Sequence, residues 1–393
     1  MSSQIQNPSP TNSILPGMVE ASPKMQHAKL NLTASISEIL TSHSYEIFDC
    51  PIMESTELYA MKSGGELTSR LYSFVEPGGM NVSLRPEFTS SVIRSYISDE
   101  IPQKQIVKKQ YVGPVFRYSD SSQGSNQRQF TQQGCELIGD SSADADGEIL
   151  KLSLLTLEKS GLEKVTVKLG HMGYLRSLLE KFDLSEVLIG FTLANLQLLT
   201  QQTNGIEKLS EMASDIGLIN PGNKVPVSKQ EKGSELSRSD NYGRRNIEQI
   251  NYRSTRKQTN SFSVKEYIES LEWLTKLLRN LAGNLNTISD ESNDPTFEKA
   301  SQYFKLVAGK AMRDMKIEVD FIIDCAAQRG FTYYTGIIFD IEYVKGSDSI
   351  PLGGGGRYDG LVKLLGGPTE VPATGFAVNI DSILSINSMD EDR

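Results

Sequence analysis

The chain has 393 residues, 38% of them hydrophobic, which suffices for one large buried core or two smaller ones. Its formal net charge of −9 disfavours a general affinity for nucleic acid, because phosphate contacts would require a local basic patch. The N-terminus has no basic segment followed by an apolar run, and no apolar stretch reaches the roughly 18 residues that span a bilayer. A cytoplasmic protein without membrane contact is expected.

Residues 1–13 are polar and rich in Ser and Pro, which predicts a disordered tail before a single domain over 14–393. Apolar residues at helical spacing predict a helix over about 25–43. The next stretch, YEIFDCPIMEST, is typical of a short strand broken by Pro51.

Two hairpins are predicted next. The alternating runs SRLYSFV and NVSLRP are separated by turn-forming residues, which indicates a first hairpin. The runs QIVKKQYVGPVFRYS and QRQFTQQGCELIG flank a polar loop and predict a second pair of strands. Both pairs favour antiparallel neighbours.

A helix over about 144–159 and a strand in VTVKLGH follow. The segment at about 220–262 then changes character, because it has almost no large aliphatic residues and more than twice as many Lys and Arg as Asp and Glu. Such a segment buries too little apolar area to offset its ordering entropy, so a flexible surface insertion is predicted. An RNA-binding arm remains the alternative.

Beyond the insertion, Ser263 and Glu266 form a capping box ahead of an apolar stripe, which predicts an amphipathic helix with Trp273 in its core-facing set. A further helix is predicted over about 296–309, followed by strands. Hairpins with interspersed helices and no regular βαβ alternation favour the α+β class, an antiparallel sheet flanked by helices.

The sequence offers few of the standard catalytic or metal-binding patterns. Cys50, Cys135 and Cys325 lie far apart without CxxC spacing, which predicts buried, reduced thiols. There is no HxxxH pair, no Ser/His/Asp arrangement and no P-loop. His171 follows a strand and is interpreted as structural. No metal site and no cofactor are predicted.

Three segments instead concentrate charge beside glycine and aromatic residues. In LRPEFTSS, Arg85 and Glu87 are two residues apart and are predicted to share one face of an extended strand. The other segments are GPVFRYS with QRQFTQQGCE, and QRGFTYYTG. Their charged, amide and tyrosine side chains are Arg117, Arg128, Gln132, Glu136, Arg329, Tyr333 and Tyr334.

These side chains fit the outline of an amino-acid pocket. Carboxylates suit an ammonium group, guanidinium suits a carboxylate or phosphate, and tyrosines can stack on a planar ring or hydrogen-bond to it. The alternative is that each pair is a separate salt bridge of the sheet or surface.

The segments resemble the motifs of histidyl-tRNA synthetases. LRPEFT resembles their LRPEGT segment, and GPVFRYS with QRQFTQQGCELIG resembles class II motif 2. QRGFTYYTG resembles the RGLDYYTG histidine-binding signature, and GGGGRYDGLVKLLGG with GFAVNI resembles the GGRYDGL stretch and the start of motif 3. The resemblance covers Leu15 to Ile386 except much of 184–312, and it implies a class II synthetase-like fold.

The resemblance also implies a histidine pocket. In it the guanidinium of Arg329 meets the ligand carboxylate, while Glu87, Gln132 and Glu136 hold the ammonium and ring nitrogens. The full set of ligand-binding residues that it implies is Glu87, Thr89, Arg117, Gln132, Glu136, Arg329, Tyr333 and Tyr334.

Several positions depart from the family pattern. Ser382 stands at the motif 3 arginine, and the motif 2 loop SDSSQGSN leaves only the two flanking arginines of the cationic set. Phe88 stands for a glycine, Thr131 for a histidine and Thr332 for an aspartate. Loss of charge at a transferring phosphoryl group lowers rates by orders of magnitude, so weak adenylation is expected.

With these departures, and with its end at Arg393, the chain resembles the regulatory subunits of ATP phosphoribosyltransferase in histidine biosynthesis. That resemblance implies a non-catalytic subunit that binds L-histidine and activates and feedback-regulates a short-form catalytic ATP phosphoribosyltransferase. It further implies a self-dimer within a hetero-oligomer, no synthetase activity and no tRNA partner. Two alternatives stay open: a divergent histidyl-tRNA synthetase core, and a stand-alone interaction protein with a degenerate pocket.

Overall fold

The computed structural model describes residues 14–60, 69–99, 105–119, 127–201, 203–220, 262–285, 295–324, 333–346 and 348–391. The predicted tail, nearly all of the predicted insertion and the third cysteine lie outside them. The chain divides into two compact units, one of Met1–Ser177 with Leu278–Arg393 and the other of Leu178–Leu277. The single domain over 14–393 stays a prediction.

The helices are numbered in chain order. They are α1 (Pro23–Ser42), α2 (Thr56–Ala60), α3 (Thr89–Ser98), α4 (Ala143–Lys159), α5 (Met172–Glu180), α6 (Glu186–Ala194), α7 (Leu196–Gln201), α8 (Gly205–Asp215), α9 (Val264–Leu281), α10 (Pro295–Ala311), α11 (Leu361–Leu364) and α12 (Ile380–Glu391). The helices predicted near residues 25, 144, 263 and 296 are confirmed as α1, α4, α9 and α10.

The strands are numbered likewise. They are β1 (Glu46–Ile47), β2 (Met53–Ser55), β3 (Ser73–Val75), β4 (Asn81–Leu84), β5 (Val107–Phe116), β6 (Gln129–Ile138), β7 (Lys164–His171), β8 (Ile219–Asn220), β9 (Phe262–Ser263), β10 (Gly283–Asn284), β11 (Glu318–Ile323), β12 (Ile337–Lys345), β13 (Asp348–Arg357) and β14 (Ala373–Asn379). Both predicted hairpins are confirmed, as β3 with β4 and β5 with β6.

The first unit is built on a nine-stranded sheet in the order β1-β5-β6-β14-β13-β12-β7-β11-β10. Its neighbours are antiparallel except β1 with β5 and β7 with β11, which are parallel. A small antiparallel sheet, β2-β4-β3, accompanies it. The α+β class is therefore confirmed, with two parallel pairs that hairpin patterns did not predict.

Helix α1 shows how the sequence covers one face of this sheet. Ser22 Oγ caps it by accepting a hydrogen bond from the backbone N–H of Met25 at 3.2 Å. Leu32, Ile36 and Leu40 recur every four residues and are buried. The helix packs against α4 and α12, which in turn contact β14 and β6.

The opposite face of the sheet carries a second apolar cluster. Strand alternation sends Tyr111 of β5 to this face, while its neighbour Gln110 donates to Thr41 Oγ1 and Tyr45 O on the α1 side. Helices α3 and α11 contact one another, and buried residues of both belong to this cluster. This second face holds the candidate site.

In the part of the second unit that the structure describes, helices are joined by a single strand pair, β8–β9. Helix α9 begins with the predicted capping box, in which the Glu266 N–H donates to Ser263 Oγ at 3.2 Å and Ser263 Oγ donates to Glu266 Oε2 at 2.7 Å. Its Tyr267 is buried, with its hydroxyl 2.8 Å from Thr192 Oγ1 of α6. Among the described residues of the whole chain, no helix combines the length and apolarity of a membrane span.

Candidate functional site

A buried carboxylate in the middle of the sheet organises the site. Glu136 of β6 is 1% exposed. Thr89 Oγ1 donates to its Oε1 at 2.6 Å, Tyr111 OH donates to the same oxygen at 3.0 Å, and Tyr358 OH donates to Oε2. Burial raises the pKa of Glu136 to about 7, although the three hydroxyl donors favour the charged form. The carboxylate therefore titrates near neutral pH.

A glycine on the neighbouring strand makes room for this carboxylate. Gly375 of β14 is the Cα partner of Glu136 in the ladder. A Cβ at position 375 would overlap Glu136 Oε2, so any other residue would displace the acid. The absence of a side chain at Gly375 thus allows a long acidic side chain to lie against the neighbouring strand.

The start of helix α3 brings two predicted ligand-binding residues to the same cluster. Thr89 is its first residue, and Glu87 precedes it with both carboxylate oxygens accepting from the Ser90 N–H, at 3.3 and 3.1 Å. Such a carboxylate is favoured at a helix N-terminus by the orphan N–H groups and the helix dipole. Glu87 and Thr89 are both buried.

One expectation for this segment is wrong. Arg85 and Glu87 do not share a strand face, because β4 ends at Leu84. The chain turns there, so Arg85 donates instead to backbone oxygens of Pro114 and Cys50, at 2.8 and 2.7 Å. The proline that follows Arg85 ends the strand pattern, which the two-residue spacing alone could not reveal.

Phe88 fills the space between these residues. Its ring is 1% exposed and stacks on Tyr111, with centroids 4.4 Å apart and planes at 7°. The guanidinium carbon of Arg85 lies 4.1 Å from the Phe88 centroid. The Phe88 ring is therefore held by stacking on Tyr111 and by a cation–π contact with Arg85.

A tyrosine cluster forms another wall of the site. Tyr333, buried, lies 4.7 Å from Tyr334 and 5.6 Å from Tyr358 between ring centroids. Burial raises the pKa of Tyr333 well above its usual range, and the negative charges of Glu87 and Glu136 raise it further. Burial likewise raises the pKa of Tyr358 well above its usual range. Tyr333 and Tyr358 therefore stay protonated, and Tyr358 OH donates to the Glu136 carboxylate.

Gln132 and Arg117 complete the described part of the predicted set. Gln132 lies two alternations from Glu136 on β6 and is 9% exposed, and its Oε1 has no hydrogen-bond partner among the described residues. Arg117 follows β5, donates from Nε to Pro86 O at 2.9 Å, and lies 5.1 Å from the Phe130 centroid. An unsatisfied buried amide oxygen is costly and suits an N–H donor supplied by a ligand.

The motif 3 position lies where β14 passes into α12. The Ser382 N–H donates to Asn379 Oδ1 at 3.1 Å, so the segment caps the helix. The preceding Asp381 accepts from the Thr131 N–H at 2.5 Å and pairs with Lys29 at 2.5 Å. This position therefore presents a hydroxyl and a paired carboxylate.

The structure brings most of the predicted residues together. Glu87, Thr89, Glu136 and Tyr333 converge, with Tyr334 next to Tyr333. Two further positions of the signature, Arg329 and Thr332, lie outside the described residues.

Three residues of the site were missed from the sequence. Tyr358 lies within the quoted GGRYDGL stretch, and that motif was the available signal. Tyr111 carried no local signal, and Gly375 lies within the quoted GFAVNI segment, but the importance of both depends on partners in distant strands. The sequence does not reveal which residues of β5, β6 and β14 lie opposite one another.

The residue before Tyr358 has a different role. Arg357 is buried and pairs with Asp146 of α4, with Nη2–Oδ1 at 2.8 Å and Nε–Oδ2 at 3.0 Å. Tyr303 OH also donates to Asp146. His171 is half-buried near this group, its centroid 5.7 Å from the Tyr303 ring, and its Nδ1 accepts from the Tyr174 N–H. Burial lowers the pKa of His171, which agrees with a structural role.

The sheet, its flanking helices and the buried acid define a class II synthetase-like catalytic fold. A sequence profile of the histidyl-tRNA synthetase family matches residues 17–216 and 237–383. The chain is 30% identical to the histidine–tRNA ligase of Pyrococcus horikoshii over 355 residues, 89% of this chain and 69% of that protein. It is 30% identical to the corresponding ligase of Sulfurisphaera tokodaii over 346 residues, 88% and 68%. The chain belongs to the histidyl-tRNA synthetase family.

Solved structures agree on the fold. A protein from Bacillus halodurans described as an ATP phosphoribosyltransferase regulatory subunit/histidyl-tRNA synthetase aligns with a TM-score of 0.63 at 22% identity, over 96% of this chain and 84% of that chain. The apo histidyl-tRNA synthetase of S. aureus aligns with a TM-score of 0.56 at 22% identity, over 95% and 72%.

The comparisons overturn one functional prediction. The chain was expected not to be an enzyme, because Ser382 replaces an arginine, the motif 2 loop SDSSQGSN lacks the cationic residues of the family, and the chain ends at Arg393. The curated relatives at about 30% identity over most of the chain are ligases, which points to a synthetase and therefore to an enzyme. Departures at a few motif positions were too narrow a basis for excluding catalysis.

Proposed function

We propose that this protein activates histidine with ATP, as a divergent histidyl-tRNA synthetase core. The observation that carries the proposal is Glu136, a carboxylate 1% exposed whose hydrogen-bond partners among the described residues are all hydroxyls. A buried carboxylate without an internal cation is costly unless a ligand supplies a positive or strongly donating group. An imidazole ring with its N–H groups is such a ligand.

The other side chains suit the rest of the amino acid. Gln132 Oε1 lacks a partner among the described residues and can accept from the ligand ammonium, with Glu87 supplying negative charge nearby. Tyr333 and Tyr334 offer ring faces against which imidazole can stack. The family resemblance assigns the ligand carboxylate to Arg329.

In the proposed reaction the histidine carboxylate attacks the α-phosphorus of ATP, pyrophosphate leaves, and a histidyl-adenylate forms. Arg117 is the described residue placed to stabilise charge on that phosphate, because its guanidinium follows β5 beside the Pro86 carbonyl, one residue from Glu87. Fixed cations at a transferring phosphoryl group are typically the largest contribution to such catalysis.

The test is histidine-dependent exchange of pyrophosphate into ATP, together with calorimetry of L-histidine binding. Glu136→Gln keeps the shape but removes the charge, and truncation-type changes at desolvated charged contacts cost roughly 2–5 kcal/mol, so both signals should fall more than tenfold. Glu148→Gln is the matched control, because Glu148 accepts from a tyrosine and a lysine on the other face of the sheet. Wild-type protein with neither exchange nor binding heat would overturn the proposal.

A second candidate is favoured by the hydroxyl at position 382. Histidine bound in the same pocket would then regulate a partner, a short-form catalytic ATP phosphoribosyltransferase, within a hetero-oligomer. Support comes from the fold likeness to the Bacillus halodurans protein and from Ser382 in place of a guanidinium. Co-purification with such a subunit and histidine-sensitive phosphoribosyl transfer by the mixture would favour this candidate. Ligase-level exchange with no effect on that subunit would dismiss it.

A further inference from the structure

Phe88 lies between Glu87 and Thr89 of the site, but its ring contacts a third residue of the site. Phe88 stacks on Tyr111, and Tyr111 OH donates to Glu136 Oε1 at 3.0 Å. The next residue, Thr89, donates to the same oxygen at 2.6 Å. The Phe88 ring therefore contacts Tyr111, and Tyr111 in turn contacts Glu136, the acid of the proposed ligand site.

Helix capping does not account for an aromatic ring at this position. Phe88 is the N-cap of α3, where Ser, Thr, Asp or Asn usually supply a side-chain acceptor, and it makes no side-chain capping bond. The Glu87 carboxylate takes over that role by accepting from the Ser90 N–H. What the ring does contribute is the stack on Tyr111, together with a cation–π contact with Arg85.

We propose that Phe88 is a positioning residue of the histidine site, which fixes the Tyr111 ring so that its hydroxyl stays on Glu136 and sets the charge that Glu136 presents to the ligand. The identity of that ligand rests on the proposed function, whereas the positioning itself does not. Phe88 would then tune binding without touching the ligand.

The physical basis is the balance around one carboxylate. The hydroxyl of Tyr111 favours the charged form of Glu136, as do those of Thr89 and Tyr358, whereas burial and the negative charge of Glu87 oppose it. Tyr333 and Cys135 are further titratable neighbours among the described residues, and both stay neutral because burial raises the pKa of each. Releasing the Tyr111 hydroxyl should leave Glu136 protonated to higher pH.

The direct test is a pH titration of the Glu136 side-chain carboxyl by carbon-13 NMR, in protein labelled at glutamate and assigned by Glu136→Gln. Tyr111→Phe keeps the stack and removes only the hydroxyl, so its midpoint should rise by about one pH unit, a tenfold change in the protonation equilibrium. Phe88→Leu should raise the midpoint in the same direction. The double variant should shift no further than Tyr111→Phe alone, because both changes remove one contact.

Val92→Ala is the control, because Val92 is buried in the same apolar cluster without belonging to the stack. It should lower the thermal midpoint and leave the carboxyl titration unchanged. If Phe88→Leu does not fold, Phe88→Met takes its place. An unchanged titration in Phe88→Leu or in Tyr111→Phe, or additive shifts in the double variant, would overturn the proposal.

Calorimetry with L-histidine over the same pH range separates this proposal from the proposed function. If wild-type protein binds histidine, the pH at which affinity changes should move with the carboxyl midpoint in both variants. If it binds none while the titration still shifts, the proposed function fails and the positioning role stands. If it binds but neither variant moves the titration, only the positioning role fails.

Discussion

Two acids of the first unit are almost equally buried but have very different partners. Asp146 is 2% exposed and is paired with Arg357 at 2.8 Å, while Tyr303 OH donates to it as well. Glu136 is 1% exposed and is bonded to three hydroxyls. An acid neutralised inside the protein holds elements together, whereas an acid supplied only with hydroxyls stays ready for a cation or donor from outside.

The position of Asp146 agrees with a structural role. Asp146 lies in the first turn of α4 and its partners come from β13 and α10, so the pair ties three elements together. Arg357 also donates to Asp140 O at 2.9 Å and pairs with Asp359 at 3.2 Å. This second network belongs to the fold, and its members are unsuited to ligand exchange.

Asp146→Ala should have the largest effect on stability. Removing one partner of a buried ion pair strands the guanidinium of Arg357 and costs about 3–5 kcal/mol. Denaturant unfolding should show that loss. Asp146→Asn, which keeps the shape and part of the hydrogen bonding, should lose less. Equal stability of Asp146→Ala and wild type would mean that the pair contributes nothing to the fold.

The pH dependence of stability should single out Glu136. Its folded pKa of about 7 lies above the ordinary 4.5, so the folded state binds the proton more tightly than the unfolded state does. Its contribution is fully favourable below about pH 4.5 and is lost as pH rises toward 7. At about 1.4 kcal/mol per pH unit the loss is roughly 3 kcal/mol.

The measurement is the free energy of unfolding of wild type minus that of Glu136→Gln, taken from pH 4 to 8. The glutamine variant cannot titrate at this position, so the difference isolates the acid. A difference that does not change across this range would show that Glu136 is not destabilised by burial.

Gly375→Ala should damage the site by crowding the acid directly. The new Cβ would overlap Glu136 Oε2, and overpacking of this kind typically costs about 1–3 kcal/mol. Histidine binding should be lost, because the carboxylate must leave its three donors. Combining Gly375→Ala with Glu136→Ala should recover only part of the stability, because the new Cβ would still lie 2.7 Å from Cys135 O, and it should not recover binding. Normal binding in the single variant would place the ligand away from Glu136.

The sequence predicted the local elements of the fold better than the contacts between distant strands. The hairpins β3–β4 and β5–β6 and the helix α4 were predictable, because period and turn residues are local signals. The convergence of Glu87 with Glu136 followed from family motifs alone. Gly375 opposite Glu136 could not be predicted, because that contact depends on the register between β6 and β14, far apart in the chain.

Arg357 shows a different limit. It lies inside the GGRYDGL stretch, yet nothing in that motif indicates that its partner is Asp146, more than two hundred residues earlier. The strand assumed for Arg85 and Glu87 failed for a related reason, since two-residue spacing indicates a shared face only while the strand continues. Local patterns predict elements, and partners across elements need the tertiary structure.

The smallest effect should come from a third acid, Glu148. Like Asp146 it is paired with a cation, and like Glu136 it accepts from a tyrosine, but it is more exposed than either. It accepts from Lys108 Nζ at 2.7 Å and from Tyr45 OH at 3.0 Å, and its side chain is 30% exposed. Water screens such a pair, so Glu148→Gln should cost about 1 kcal/mol or less in denaturant unfolding. It should leave histidine binding unchanged, since Tyr45 and Lys108 lie on the α1 side of the sheet. A loss as large as that in Asp146→Ala would show that the internal cation, and not the degree of burial, sets the energetic difference between these acids.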